Sequence, residues 1–415
     1  MLIDVATAEP TAAGRAPVAP AGGGHSANAD PLPLNGFWTR DRVQVWHEGD
    51  PPGFRQFREL GAFTTERGET LDHVRVAFQS WGTLNAARDN AVLVLHALTG
   101  DSHVIGEAGP HQPTPGWWNG LIGPGATLDT DELFVLAPNV LGGCQGTTGP
   151  SSVAPDGRPY GSRFPGITIR DQVAVEAMLA DALGIDRFLA VVGGSMGGMR
   201  VMEWAVSNPD RVRAAIAIAT CGYASADMIG WTVPQLAAIR NDPDFAGGDY
   251  YGGSWPFNGM AVARQIAHLT YRSEHELNTR FGREAQPGED LRSGGRYAVQ
   301  SYLEYHGAKL ARRFDPNSYL VLTDAMNSHD IGRGRGGLQA ALDRITAELT
   351  VAVVNTDRLF PPHLGRELAA APTARPLVAM RSDYGHDGFL IEAEQVAALV
   401  FSAVASIREH GLHSA

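Results

Sequence analysis

The strongest chemical signal in the chain is Gly193-Gly-Ser-Met-Gly197, a G-x-S-x-G pattern. With 49 glycines in the chain, the bare pattern is expected by chance about 0.3 times, so the five residues alone decide nothing. Their setting does. They directly follow the apolar run Phe188–Val192 and directly precede an amphipathic stretch from Gly198 to about Val206, which Asn208-Pro209 stops. Strand, sharp turn and helix together lift a serine hydroxyl above a sheet and set it beside the free N–H groups of a helix N-terminus. The competing explanation is a glycine-rich turn that opens a ligand-binding helix without any covalent step.

A serine hydroxyl is a poor nucleophile unless a base takes its proton, and the base needs an acid to orient it. On a strand–turn–helix scaffold the chain order is Ser, then Asp or Glu, then His, each in a loop after a strand. Asp357 fits the acid, two residues beyond the run Leu349–Val354 and Asn355. His386 fits the base, in Ser382-Asp-Tyr-Gly-His386 after Pro376–Met380. His96, His103 and His111 precede Ser195, and His329 precedes any acid placed on a later strand. An acyl intermediate also needs donors for its oxyanion. The N–H of Met196, next to the nucleophile, is one. The other is expected from the loop His96-Ala-Leu-Thr-Gly100, where Leu98 is chosen; the alternative is that this loop is only a turn.

Apolar runs that do not alternate, at Ala91–Leu95, Leu133–Ala137 and Phe188–Val192, suit strands covered on both faces. Ile169–Leu183 between the last two has helical spacing and ends at Gly184. The rhythm continues with strands at 212–219, 349–354 and 376–380 and a last helix from Ile391 to about Arg408, which together predict an open α/β, mostly parallel sheet. Residues 223–330 break the rhythm. Helical patterns at 235–240, 260–271 and 296–313 predict a helical insertion, and Tyr319–Leu322 fits either strand or helix. Lying over the serine, such an insertion can act as a lid that excludes water from an acyl-serine, which opens transfer as an alternative to hydrolysis. The predicted organisation is a tail at 1–35, rich in Ala, Gly and Pro and without a signal-peptide core; a sheet core at 36–222 and 331–411; and the lid at 223–330.

The 415 residues carry a formal charge of −12, which argues against nucleic acid or an anionic membrane as the main partner. No run approaches a membrane span, and two cysteines make no disulfide framework, which fits a reducing compartment. Lys309 is the only lysine, a bias we attribute to a GC-rich genome. No metal-site spacing, P-loop or dinucleotide fingerprint occurs. Gly332-Arg-Gly-Arg-Gly-Gly337 is expected to form a flexible arginine-bearing loop near the pocket, able to meet an anionic substrate or a cofactor phosphate.

From about Ala77 to the last helix the chain resembles the homoserine O-acyltransferase family of the α/β-hydrolase fold. The resemblance rests on Leu95-His-Ala-Leu-Thr-Gly-Asp-Ser-His103, Gly116-Trp-Trp118, Asn139-Val-Leu-Gly-Gly-Cys-Gln-Gly-Thr-Thr-Gly-Pro150, Gly193–Gly198, Ala267-His-Leu-Thr-Tyr-Arg272, Asn327-Ser-His-Asp330 and Tyr384-Gly-His-Asp-Gly-Phe389. It implies an α/β-hydrolase fold with an inserted helical lid and a ping-pong reaction in methionine biosynthesis. Ser195 would take an acetyl group from acetyl-CoA, a substrate rather than a bound cofactor, and pass it to the hydroxyl of L-homoserine. It implies that Arg264 binds the homoserine carboxylate and Asp387 its amino group. It also implies a homodimer formed through the lid and a cytoplasmic location. Relatives use succinyl-CoA or serine, and an esterase with water as acceptor would carry the same three residues.

Overall fold

The computed structural model describes residues 45–109 and 112–412. The predicted tail, the first residues assigned to the core and His111 lie outside the described residues. Eight strands form one sheet: β1 (Gln56–Thr64), β2 (Thr70–Trp81), β3 (Ala91–Leu95), β4 (Phe134–Pro138), β5 (Phe188–Gly194), β6 (Val212–Ile218), β7 (Glu348–Val354) and β8 (Val378–Met380). Their order across the sheet is β1-β2-β4-β3-β5-β6-β7-β8. β2 runs antiparallel to both β1 and β4, and every other neighbouring pair is parallel.

The helices, in chain order, are α1 (Ile169–Ala182), α2 (Met196–Ser207), α3 (Ala226–Arg240), α4 (Phe257–Tyr271), α5 (Glu274–Phe281), α6 (Ala298–Arg313), α7 (Pro316–Asn327), α8 (Leu338–Leu342), α9 (Pro362–Leu368), α10 (Gly388–Ile391) and α11 (Ala393–Leu412). The chain is an α/β-hydrolase fold: a mostly parallel sheet flanked by helices. The unbroken apolar runs have a simple cause. Successive strand residues point to opposite faces, and helices cover both. Leu93, Leu95, Val191, Ala215, Ala217, Val351 and Val353 pack with α1 and α2 on one face. Val92, Val94, Ala190, Val192, Ile216, Ile218, Ala352 and Val354 pack with Val396, Val400 and Val404 of α11 on the other.

Two features of the sequence pattern resolve differently. The apolar runs mark no strand before Ala91, yet β1 and β2 precede it. β1 is half-exposed along its length and its register with β2 shifts twice near Gly61, so neither a continuous nor a regular alternating pattern marks it. Tyr319–Leu322 lies inside α7, where Asp315 caps the start by accepting from the Ser318 N–H at 2.8 Å and Pro316 takes the first turn.

Between β6 and β7 the chain makes five helices, α3 to α7, before α8 returns it to the sheet. Where this excursion leaves and rejoins, the two chain segments are tied together. The Ala224 N–H donates to the His329 carbonyl at 2.9 Å and the Ile331 N–H to the Gly222 carbonyl at 2.9 Å. Among the described residues no single helix is long and apolar enough to cross a membrane.

Candidate active site

β5 runs through the centre of the sheet and stops at Gly194, and α2 starts at Met196. The one residue between them, Ser195, has φ 58° and ψ −124°, a conformation that costs a non-glycine residue on the order of 1–3 kcal/mol. It is held there by its N–H donating to the Ile218 carbonyl at 3.0 Å, while its own carbonyl accepts from the Met199 N–H at 3.0 Å and the Thr220 hydroxyl at 2.9 Å. The flanking glycines serve close approach. A Cβ on Gly197 would sit 2.1 Å from the Leu95 carbonyl oxygen, and one on Gly194 would sit 2.4 Å from the Phe389 ring.

Asp357 lies just past β7, and His386 lies in a short turn past β8. Their loops are sewn together by Thr356, whose hydroxyl donates to the Ser382 carbonyl at 2.7 Å and accepts from the Gly385 N–H at 3.1 Å. The Asn355 side chain adds a bond from the Ser382 N–H at 2.9 Å. The result is a hydrogen-bonded chain. His386 Nε2 is 2.9 Å from Ser195 Oγ, and His386 Nδ1 is 2.6 Å from Asp357 Oδ2. The other carboxylate oxygen, Oδ1, accepts from the N–H groups of Leu359 and Phe360 at 2.9 and 2.8 Å. All three side chains are buried. The imidazole is sandwiched by Phe360, stacked with ring centroids 4.9 Å apart, and Phe389, edge-on at 5.3 Å. Such a chain can pull the proton off the serine hydroxyl as it attacks a carbonyl carbon.

Met196 is the first residue of α2, so its N–H is one of the helix's orphan donors. Leu98 is buried in the loop after β3, next to a cavity of about 40 Å³. Leu98, Met228, Thr270, Tyr271, Leu359 and Phe360 are among its walls, and no charged side chain lines it.

Arg264 is on α4, its guanidinium 4.9 Å from the Tyr271 ring centroid, and that ring is 5.8 Å from the His386 ring. Arg264 Nη1 is buried with no hydrogen-bond partner among the described residues. Asp387 follows the histidine and faces Arg272, with Oδ2 3.3 Å from Nε. Burial pushes its carboxyl above the ordinary range, and the nearby Arg272 and Arg264 charges work against that. Arg272 is a residue the sequence patterns gave no role. It lies within the motif Ala267–Arg272, but nothing in the local pattern links it to a residue more than a hundred positions away.

One expectation is corrected. Arg333 and Arg335 of the glycine–arginine tract do not present free cations to a pocket. Arg333 pairs with Glu66 at 2.8 Å, and Arg335 pairs at 2.5 Å with the buried Glu203. His329 is buried against the Cys221 carbonyl at 3.3 Å, and burial lowers its pKa to about 4. Among the described residues no cluster of three or more His, Cys, Asp or Glu side chains could hold a metal ion.

This fold, with a serine on a strained strand-to-helix turn and a histidine–carboxylate pair behind it, defines an α/β-hydrolase-type protein; the family model of the alpha/beta hydrolase fold matches residues 90–393. The chain is 56% identical over 374 residues to a homoserine O-acetyltransferase of Thermobifida fusca (strain YX), covering 89% of this chain and 97% of the relative. It superposes on the crystal structure of homoserine O-acetyltransferase from Bacillus anthracis with a TM-score of 0.78 at 27% identity, covering 84% of this chain and 97% of that one. It superposes comparably on esterase E22, with a TM-score of 0.76 at 28% identity and coverage of 84% and 99%. The chain belongs to the homoserine O-acetyltransferase family.

Proposed function

We propose that the protein transfers an acetyl group from acetyl-CoA to the side-chain hydroxyl of L-homoserine through an acyl-serine. Ser195 Oγ attacks the thioester carbonyl while His386 Nε2 takes its proton. The tetrahedral oxyanion is held by the N–H groups of Met196 and Leu98. As it collapses, the C–S bond breaks and the proton passes from His386 to the CoA sulfur. The homoserine hydroxyl then attacks the acyl-serine, giving its proton to His386. The C–O bond to Ser195 breaks, and the proton returns to Ser195 Oγ. Asp357 keeps Nδ1 protonated and offsets the imidazolium charge in both halves.

The observation that carries the acceptor is the buried, unpartnered Nη1 of Arg264, whose guanidinium lies against the Tyr271 ring that neighbours His386. A water acceptor needs no cation there; an amino-acid carboxylate does. Asp387, set between Arg272 and the histidine, receives the ammonium group. One anion and one cation fix the two ends of the amino acid and leave its hydroxyl facing the acyl-serine. For the donor, the 56% identity to a homoserine O-acetyltransferase over nearly the whole chain favours acetyl over succinyl. The helices α3 to α7 act as the lid. Exposed Trp231, Val233, Val262 and Tyr305 on them support a homodimer formed through this face. The CoA substrate and the two free, buried thiols support a cytoplasmic location.

The test is release of free thiol from acetyl-CoA or succinyl-CoA with homoserine, serine or no acceptor, with mass spectrometry of the product. Homoserine-dependent release from acetyl-CoA, with O-acetylhomoserine formed, is expected. Equal release with and without acceptor would make the protein an esterase.

A further inference from the structure

The loop that carries Leu98 is held from two sides. From the sheet side, the fully buried Arg200 of α2 donates to the His96 carbonyl. The His96 ring accepts from the Val140 N–H at Nε2 (3.1 Å), so Nδ1 carries the proton, and it donates to the Ala97 carbonyl at 2.8 Å. From the other side comes a residue of the inserted helices. Arg313, at the end of α6, donates from Nη1 to the Thr99 carbonyl at 3.0 Å.

The next step follows from the planarity of the peptide group, which points C=O and N–H in opposite directions across each trans bond. The Thr99 carbonyl and the Gly100 N–H are two ends of one peptide group. That N–H donates to the Ala97 carbonyl at 2.9 Å. The Ala97 carbonyl and the Leu98 N–H are in turn two ends of the next group in the series. The guanidinium of Arg313 therefore sits at the head of a line of two hydrogen-bonded peptide groups whose last donor is the Leu98 N–H. A positive charge there aligns and polarises both groups in the same sense, and bonds in series strengthen one another by about 10–30% each.

We propose that Arg313 is a positioning residue for the oxyanion hole: through the Thr99–Gly100 and Ala97–Leu98 peptide groups it orients and polarises the Leu98 N–H, so that the hole is complete only when α6 is seated on the sheet domain. This rests on the assignment of Leu98 as the second oxyanion donor. Arg313 touches no reacting atom. It acts through backbone that no side-chain substitution can remove, so the arginine is the place to intervene.

The experiment measures acylation of Ser195 in R313A and R313Q, using acetyl-CoA and, separately, p-nitrophenyl acetate, which has no phosphates or pantetheine arm. Removing an oxyanion donor outright costs about 100- to 1,000-fold. A donor left in place but loosened is expected to cost about 10- to 100-fold, equally with both donors and with the homoserine KM unchanged. Free guanidinium added to R313A should restore part of the loss. Unchanged p-nitrophenyl acetate acylation in the folded variants overturns the proposal, including the case in which only the acetyl-CoA KM rises, which would make Arg313 a donor-binding residue. If R313A does not fold, R313Q decides alone, since it keeps a polar side chain, two bonds shorter, and removes the charge. S195A separates the two levels of inference: acylation that survives in S195A means the nucleophile is misassigned, whereas its loss in S195A beside unchanged R313 variants rejects the Arg313 role alone.

Discussion

Arg264→Ala separates the two half-reactions. In a ping-pong scheme, kcat/KM for acetyl-CoA reports only acylation and kcat/KM for homoserine only deacylation. The guanidinium has one buried nitrogen without a partner, so the substrate carboxylate would supply its missing charge-assisted bond. Bonds to charged groups are worth about 1.5–3 kcal/mol, and each 1.4 kcal/mol is about a factor of ten. The expected loss in kcat/KM for homoserine is therefore about 10- to 150-fold, with kcat/KM for acetyl-CoA held within about twofold. Stability should hardly change. The substitution gives up a cation–ring contact at 4.9 Å, worth about 0.5–2 kcal/mol, and relieves an unsatisfied buried donor worth about 1–3 kcal/mol. Initial rates over a grid of both substrates, with a thermal melt of each protein, give all three quantities. Equal losses in the two kcat/KM values, or a homoserine value that does not move, would refute the carboxylate-binding role.

Other consequences concern the frame around the site. Glu176, 3% exposed, pairs at 2.5 Å with the fully buried Arg200 and accepts from the Trp204 indole Nε1–H at 2.7 Å. Glu176→Ala strands a buried charge and should cost about 3–5 kcal/mol in urea unfolding; a change under about 1 kcal/mol would mean the pair contributes little. His96 and His329 are buried, with pKa values lowered from 6.5 to about 3 and about 4. Between about pH 4 and 6.5 the unfolded chain binds protons at these rings that the folded chain does not. Stability should then fall with decreasing pH by about 1.4 kcal/mol per unit for each, and His329→Gln should flatten the slope by one proton's worth. Burial pushes the Cys144 thiol up to about 12 and the Cys221 thiol up as well. Neither should react with Ellman's reagent until the protein unfolds, and rapid titration of either in the native enzyme would contradict that burial.

The central strands and the serine turn were legible because each has a local cause. A strand covered on both faces must be apolar at every position, and the turn after β5 tolerates no side chain at Gly194 or Gly197. Chain order and a place after strands single out Asp357 and His386, and the structure puts His386 within hydrogen-bond distance of Ser195 and Asp357 within hydrogen-bond distance of His386. What was not legible depends on distant partners. β1 is an edge strand, half wet and bulged, with no clean period. Arg272 meets Asp387 only through the fold. Arg333 and Arg335 look like free cations in a glycine tract until Glu66 and Glu203 arrive from other parts of the chain. The helix over Tyr319–Leu322 did carry a signal, Asp315-Pro316, but a short apolar run hides it.

The paired backbone bonds where the chain leaves the sheet after β6 and returns before α8 make the five inserted helices a closed excursion. Its ends are neighbours whatever lies between them, and the entropic cost of closing such an excursion grows only slowly with its length. The strands and the serine turn can thus keep their pairing when the helices above change, while the Leu98 loop still depends on Arg313 at the end of α6. A lineage that keeps the Arg313 end of α6 could exchange, lengthen or recharge the rest of those helices, and so alter which nucleophile reaches the acyl-serine, without rebuilding the machinery that forms it. That modularity gives a physical reason for an esterase and an acetyltransferase to superpose about equally well on one chain.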